Sequence, residues 1–409
     1  MLVITELLSP SESNTAVSLP ASAGNFERLM DRFSDVLGYV PKESLFFDIE
    51  TTGLSAANSM VFLIGAIYFD GQNWLLKQLL AQNEADECCI LKEFFRLAQN
   101  YHTLIHFNGT TFDIPYTKER AIHHGLSHSL ETMHSIDLYQ RFRPLKNLLG
   151  LPRMNQLTLE QFLKWPRQDQ LAGRHMISLF KKYSASGEKR ISDLLLLHNH
   201  DDLFGMTHLL RFGAYLLFLN GDIESVSANT LKCPPESLHM EGCHCTQEEM
   251  RSSLSTAFKN NESAIFELNF QLREALPSPL SVIEDKTSRI LYINGKNGKL
   301  LLPLYHGELK YFFPDYRNYY YLPLEDQAIH KSVGAYVDAN HRENAKPATC
   351  YVRKTADFLP QPKVLFQPSF REAYNSRDFY FEYKNEYLNS PEQLLSYARL
   401  LLSDFITFS

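Results

Sequence analysis

No stretch of this sequence is apolar for long enough to span a membrane, which excludes an integral helical membrane protein. Positive charge is not in surplus either. The 40 Lys and Arg face 47 Asp and Glu, for a net charge of −7. No global field draws a polyanion to such a chain, so a phosphate-rich partner would have to be held by a local patch or by metal ions. The opening residues, MLVITELLSP, lack a basic leader and are interrupted by Glu6, so they do not read as a secretory signal. Cysteine is sparse: there are six, two of them the adjacent Cys88 and Cys89, and no spacing suggests a disulfide framework. That usage fits a reducing, cytoplasmic location, which is the expectation. Internal repeats and low-complexity tracts are absent.

What is present is ample packing material. The chain has 409 residues, 44% apolar and 21% charged, with 21 Tyr and 28 Phe, which is too long for one ordinary core. Residues 1–43 read as a lead-in, rich in Ser, Pro and Ala over 9–24, followed by helical spacing of Phe26, Leu29, Met30, Phe33 and Leu37. Over 44–220 the pattern is mixed α/β. Strands are expected at LFFDIE, VFLIGAIYF and NWLLKQLLAQ, then an amphipathic helix over 85–99. Short strands at TLIHF and HSIDL flank a helix from Asp113 to about His124. The remainder is mostly helical and ends in one long helix that starts near Ile191 and continues through FGAYLLFL. Residues 221–409 change character. Short β-like runs are separated by Gly, Asn and Pro turns, and a last helix carries Ser390 as N-cap and Pro391 at its first position.

The most informative stretch is LFFDIETTGL, residues 45–54. Asp48 and Glu50 are two apart on a strand and share one face. Two acids at the end of a buried strand repel each other, and a divalent cation with oxygen ligands is the usual remedy. Further acids should converge there. HFNGTTFDIP offers Asp113 after a Gly turn and near a helix start, with Asn108 placed to fix the turn and Phe112 to pack beside the site. HNHDDL offers His198 and Asp202, four apart on one helix face, while Asp201 points elsewhere and is expected to be solvated. Taken singly each element has a plain structural reading: surface acids for Asp48 and Glu50, a helix N-cap for Asp113, an ordinary polar helix residue for His198.

A strand D-x-E, an Asp after a second strand and an H-x-x-x-D helix, in this order and spacing, resemble the DEDD superfamily of metal-dependent 3′–5′ exonucleases. More closely, the chain resembles the YprB-type ribonuclease-H-like family, through LTLEQF at 157–162 and RQDQLAG leading into ISLFKKY. The resemblance covers roughly Ser44 to Leu217. It implies an α/β fold of ribonuclease-H-like type, a mixed sheet with antiparallel early strands flanked by helices, followed by a second α+β or β-rich domain over 221–409. It also implies hydrolysis of phosphodiester bonds at the 3′ end of single-stranded DNA or RNA with two divalent cations, Mg2+ or Mn2+. Matched position by position, it assigns metal ligation to Asp48, Glu50, Asp113 and Asp202, with Asp48 bridging the ions. Thr51, Asn108 and Phe112 flank these acids as candidate substrate contacts. The base in such enzymes is a His five residues before the last Asp or a Tyr four before it. His198 stands at the four-residue spacing, so the imidazole occupies the tyrosine register as the candidate base.

Eleven Lys and Arg between Arg141 and Arg190 are interrupted by few acids. They read either as a substrate groove or as solvated helix faces. Asp137 is a further acid, for the site or for structure. Cys233, His239, Cys243, His244 and Cys245 read as a loop with chance thiols or as a zinc site of unusual spacing. The aromatic run 311–323 either packs a core or stacks bases. Two rival functions stay open: a catalytically silent nucleic-acid-binding scaffold on the same fold, and a protein-binding adaptor acting through residues 221–409.

Overall fold

Leu45, Phe46 and Phe47 are almost completely buried, as a strand covered on both faces requires. They belong to the central part of a six-stranded sheet. The protein is described here from a computed structural model covering residues 1–8, 23–169, 175–231, 264–284, 289–384, 388 and 390–408. Two compact units divide the chain, Met1–Leu216 and Leu217–Ser409.

In the first unit the strands are β1 (Leu2–Leu7), β2 (Ser44–Thr51), β3 (Val61–Phe69), β4 (Trp74–Leu80), β5 (Thr103–His106) and β6 (His134–Asp137), in the spatial order β1-β4-β3-β2-β5-β6. The first four pair antiparallel and β2, β5 and β6 pair parallel, as expected for a mixed sheet. The helices are α1 (Ala23–Arg32), α2 (Ser34–Leu37), α3 (Glu87–Ala98), α4 (Asp113–His123), α5 (Leu138–Phe142), α6 (Gln156–Phe162), α7 (Met176–Ser186), α8 (Lys189–Leu209) and α9 (Gly213–Leu219). Alternation along β2 decides what each face meets. Phe47 stacks on Phe94 of α3 at 4.7 Å between ring centroids, while Asp48 receives a hydrogen bond from Asn199 of α8.

Two local expectations change. Residues 2–7 form a sheet strand, paired register for register with Leu75–Leu80 of β4. The predicted long helix is broken by a 3₁₀ turn at Leu210–Phe212 before α9 begins at Gly213. A Cβ at Gly213 would lie 2.6 Å from Phe33 Cβ, so the chain turns against Phe33 where no other side chain fits. The lead-in over residues 9–22 lies outside the described residues, as does the Cys and His group at 233–245.

The second unit is β-rich. An antiparallel five-stranded sheet contains Ile223–Leu231, Ile265–Leu272, Leu280–Glu284, Arg289–Asn294 and Asn297–Pro303, and smaller four- and three-stranded sheets follow. The closing helix, Pro391–Phe408, starts with Ser390 accepting from the Leu394 amide at 3.0 Å through its carbonyl. The aromatic run is in large part core material: Phe313, Tyr316, Tyr319 and Tyr321 pack around Ala328, Ala345 and Cys350. Among the described residues no helix is long and apolar enough to cross a membrane.

Candidate metal and phosphate site

The carboxylates of the site arrive on three kinds of support. Asp48 and Glu50 come from one face of β2, whose pairing with β3 shifts register between Glu50 and Thr51. That bulge ends regular pairing at the site's edge. Asp113 is the first residue of α4, and His198 and Asp202 project one turn apart from α8.

Helix α8 approaches β2 closely because of a glycine. Gly65 of β3 lies directly opposite Asp48, and a Cβ there would meet Asn199 Oδ1 at 2.1 Å and Leu203 Cδ1 at 2.5 Å. Into that space Asn199 inserts its amide, donating to Asp48 Oδ2 at 2.8 Å and accepting from Gln78 Nε2 of β4 at 2.9 Å. Gln78 also donates to the Leu196 carbonyl at 2.8 Å. Gly65→Ala is therefore expected to overpack this joint at about 1–3 kcal/mol, seen as a lower urea midpoint with an unchanged slope.

Asp113 is positioned by its own turn. Asp137 accepts from the amides of Asn108 (2.8 Å), Thr110 (3.4 Å) and Tyr139 (3.1 Å), and His106 Nδ1 accepts from the Gly109 amide at 3.0 Å. Burial lowers the His106 pKa to about 4, so the ring is neutral and accepts at Nδ1 while Nε2 pairs with Ser135 Oγ at 2.7 Å. Asp137 thus shapes the loop that carries Asp113. Asn108, at φ 60°, fixes the same turn, and its carbonyl accepts from Thr111 Oγ1 at 3.0 Å. Phe112 leans on Tyr116 at 5.2 Å between centroids. Thr51 donates from Oγ1 to the Gly53 carbonyl at 2.9 Å.

Electrostatically the cluster is under-compensated. Burial, then the charges of Asp202, Asp113 and Glu50, push Asp48 well above the usual carboxylate range, with Asn199 pulling the other way. Burial followed by Asp202, Asp113 and Asp169 does the same to Glu50. Asp113 is pushed up to about 7, chiefly by burial, with the Asp113 and Ile49 backbone amides opposing. The structure therefore brings all four predicted acids within mutual influence. The tightest grouping is narrower: ligand atoms of Glu50, His198 and Asp202 all lie within 4.8 Å of one another, the one such His, Cys, Asp and Glu group among the described residues. Asp48 stands outside that trio, its Oδ2 turned to Asn199.

Around the acids lies a layer that sequence reading did not assign. Asp169 accepts a hydrogen bond from His198 Nδ1. Arg167, placed among the basic residues of a groove or solvated face, instead turns inward, pairing with Asp202 and lying 3.5 Å from Glu160. Glu160 is fully buried and pushed up to about 7, burial outweighing Arg167. Asp201 is not solvated. It is 5% exposed, and its Oδ2 accepts from the Gln168 and Asp169 amides, both at 2.7 Å. Glu160, Arg167 and Asp169 lie in LTLEQF and RQDQLAG, the segments that carried the closer resemblance, and that was the available signal.

A divalent cation suits this donor set: hard carboxylate oxygens converge with one imidazole, opposed by one guanidinium on Asp202, a side-chain amide on Asp48 and backbone amides on Asp113.

A family match agrees with the fold. Residues 45–212 match the RNase_H superfamily. No curated protein sequence matches the chain. Solved structures with some likeness include a family B DNA polymerase from the hyperthermophilic archaeon Pyrobaculum calidifontis, at 17% identity and TM-score 0.34 over 45% of this chain and 26% of that one. Exonuclease I in its apo form aligns at 14% identity and TM-score 0.26 over 55% of each chain. The zinc-bound E. coli exonuclease I–ssDNA complex aligns at 11% identity and TM-score 0.26, over 89% of this chain and 70% of that one. The chain thus spans about a quarter and about half of the first two proteins. The part of the chain from residue 45 to 212 is a ribonuclease-H-like α/β domain; its strands, joined by β1 from the N-terminus, make a mixed six-stranded sheet flanked by helices, and a β-rich unit follows.

Proposed function

We propose that the first unit is a metal-dependent nuclease, a 3′–5′ exonuclease that hydrolyses phosphodiester bonds of single-stranded DNA or RNA. One observation carries the reading: Asp48 and Glu50 of β2, Asp113 of α4 and Asp202 of α8 come together, and burial, with their mutual charge, holds three of them above their ordinary pKa range. A protein keeps such a destabilising cluster where function needs it.

In this reading the four acids hold two divalent cations, Mg2+ or Mn2+. When bound, such ions neutralise phosphate charge, lower the pKa of a bound water and stabilise the departing oxygen. The chain's own residues position those ions. Asn199 fixes the Asp48 carboxylate, the Asp137-braced turn fixes Asp113, and Arg167 fixes Asp202. Thr51, Asn108 and Phe112 border the acids on the loop side as substrate contacts. Arg141, Arg143, Lys146, Arg153 and Lys164 are exposed and offer phosphate contacts along the same unit. A protein partner would engage the second unit. A reducing cytoplasm belongs to the same reading, and the three described cysteines, Cys88, Cys89 and Cys350, are free thiols.

The test is direct. With Mn2+ or Mg2+, 5′-labelled single-stranded DNA or RNA should shorten stepwise from its 3′ end, and chelation should stop it. Intact oligonucleotides in the presence of metal-loaded protein would replace the nuclease by a silent nucleic-acid-binding scaffold on the same fold.

A further inference from the structure

We propose that His198 is a nitrogen ligand to a divalent cation shared with Glu50 and Asp202, that Asp169 orients it, and that this donor set favours Mn2+ over Mg2+. The proposal deepens the nuclease reading and rests on it for its setting.

His198 Nδ1 faces the Asp169 carboxylate in a hydrogen bond, and an ionised carboxylate only accepts, so Nδ1 carries the proton. Nε2 then points at Glu50 Oε1 and Asp202 Oδ2, each 3.4 Å away. Ligand-type atoms of these three side chains all lie within 4.8 Å of one another, an arrangement that one cation among them would satisfy. Ligand atoms about 2.1 Å from one cation stand roughly 3.0–3.4 Å apart in octahedral and tetrahedral arrangements, which matches the spacing of Nε2 to both oxygens.

A general base would need Nε2 turned toward an approaching water. Here His198 is 6% exposed and its Nε2 is shared between two acids. The pattern is instead that of a ligating histidine whose other nitrogen is held by a carboxylate, which fixes tautomer and ring orientation. Asp169 is itself prearranged, because Asp201 gathers the Gln168 and Asp169 amides at 2.7 Å. One helix, α8, thus supplies His198 and Asp202 to the site and Asp201 to the loop behind it. The imidazole also sets the choice of ion. Mg2+ takes oxygen ligands and gives up water reluctantly, whereas nitrogen suits transition-metal ions.

Mn2+ alone, titrated into the full chain, is the probe. Electron spin-echo spectroscopy of the Mn2+-loaded protein should show coupling to a directly bound ¹⁴N, and His198→Gln should remove it. Asp169→Asn should retain the fold by circular dichroism while weakening Mn2+ binding about 10–100-fold. Competition should show Mn2+ held more tightly than Mg2+, with the gap narrowed in His198→Gln. Mn2+ bound without nitrogen coupling, no Mn2+ bound, or unchanged affinity in Asp169→Asn would each overturn the proposal. Nitrogen coupling in a protein that leaves oligonucleotides intact would support His198 as a ligand while removing the nuclease reading, so the two failures are distinguishable.

Discussion

Asp48→Asn is expected to abolish phosphodiester hydrolysis, by about 10³-fold or more, while making the metal-free protein more stable. The two effects share one origin. Asp48 is buried against Asp202, Asp113 and Glu50, so its ionised form weakens the fold in the absence of a cation. Asparagine removes the charge yet keeps an oxygen to accept from Asn199, as the carboxylate does at 2.8 Å. A gain of about 1 kcal/mol would raise the unfolding temperature by roughly 2–4 °C for a unit of this size. The pH dependence has a definite sign. Asp48, Glu50 and Asp113 have raised folded-state pKa values, so the folded chain holds protons that the unfolded chain has already released. Relative stability is full below the unfolded carboxylate pKa, and is lost as pH rises through the folded values, for Asp113 about 7. Calorimetry in chelator at pH 5, 6, 7 and 8 should show a falling unfolding temperature, with a shallower fall in Asp48→Asn. Added Mn2+ should reverse the fall. A flat or rising profile in the chelated protein would contradict the electrostatic account of the site.

The largest stability loss is expected from Arg120→Met, at about 3–5 kcal/mol. Glu87 is 1% exposed at the start of α3 and accepts from Arg120 Nε at 2.8 Å and Nη2 at 2.5 Å, and from the Val61 amide at 2.8 Å; it also pairs with His124 Nε2 at 2.7 Å. Burial alone would raise its pKa, but the hydrogen bonds from Arg120, His124 and Val61 together hold it below the usual range. Arg120 also donates to the Ala56 carbonyl at 2.9 Å. The pair therefore ties α3, β3 and the loop after β2 to α4, the helix that opens with Asp113. Removing the guanidinium leaves a buried carboxylate without its main counter-charge. The double variant Glu87→Gln/Arg120→Met should recover part of the loss, because no unpaired charge remains. Urea unfolding of both variants measures it; equal losses would mean that packing of the long arginine stem dominates.

The sequence exposed the acids because each sits at a place where local pattern has meaning. Alternation puts Asp48 and Glu50 on one strand face, a Gly turn precedes Asp113, and four-residue spacing joins His198 to Asp202. What it concealed depends on partners from elsewhere. Asn199 looks like a polar residue on a helix until Gly65, on a strand far away in sequence, opens a gap for it. Asp201 looks solvated until the 168–169 backbone folds over it. Arg167 looks like one cation in a basic stretch until Asp202 and buried Glu160 turn it inward. β1 gave no alternation to read, since five of its six residues are exposed and only pairing with β4 defines it.

The hydrogen bond from Asn199 to Asp48 spans 151 residues of chain. Synthesis delivers β2 early and α8 late, and domains fold as units. A growing polypeptide therefore displays Asp48 and Glu50 long before Asp202 and His198 leave the ribosome. A chain that ends before Asp202 would therefore carry Asp48 and Glu50 without the partners that complete the cluster.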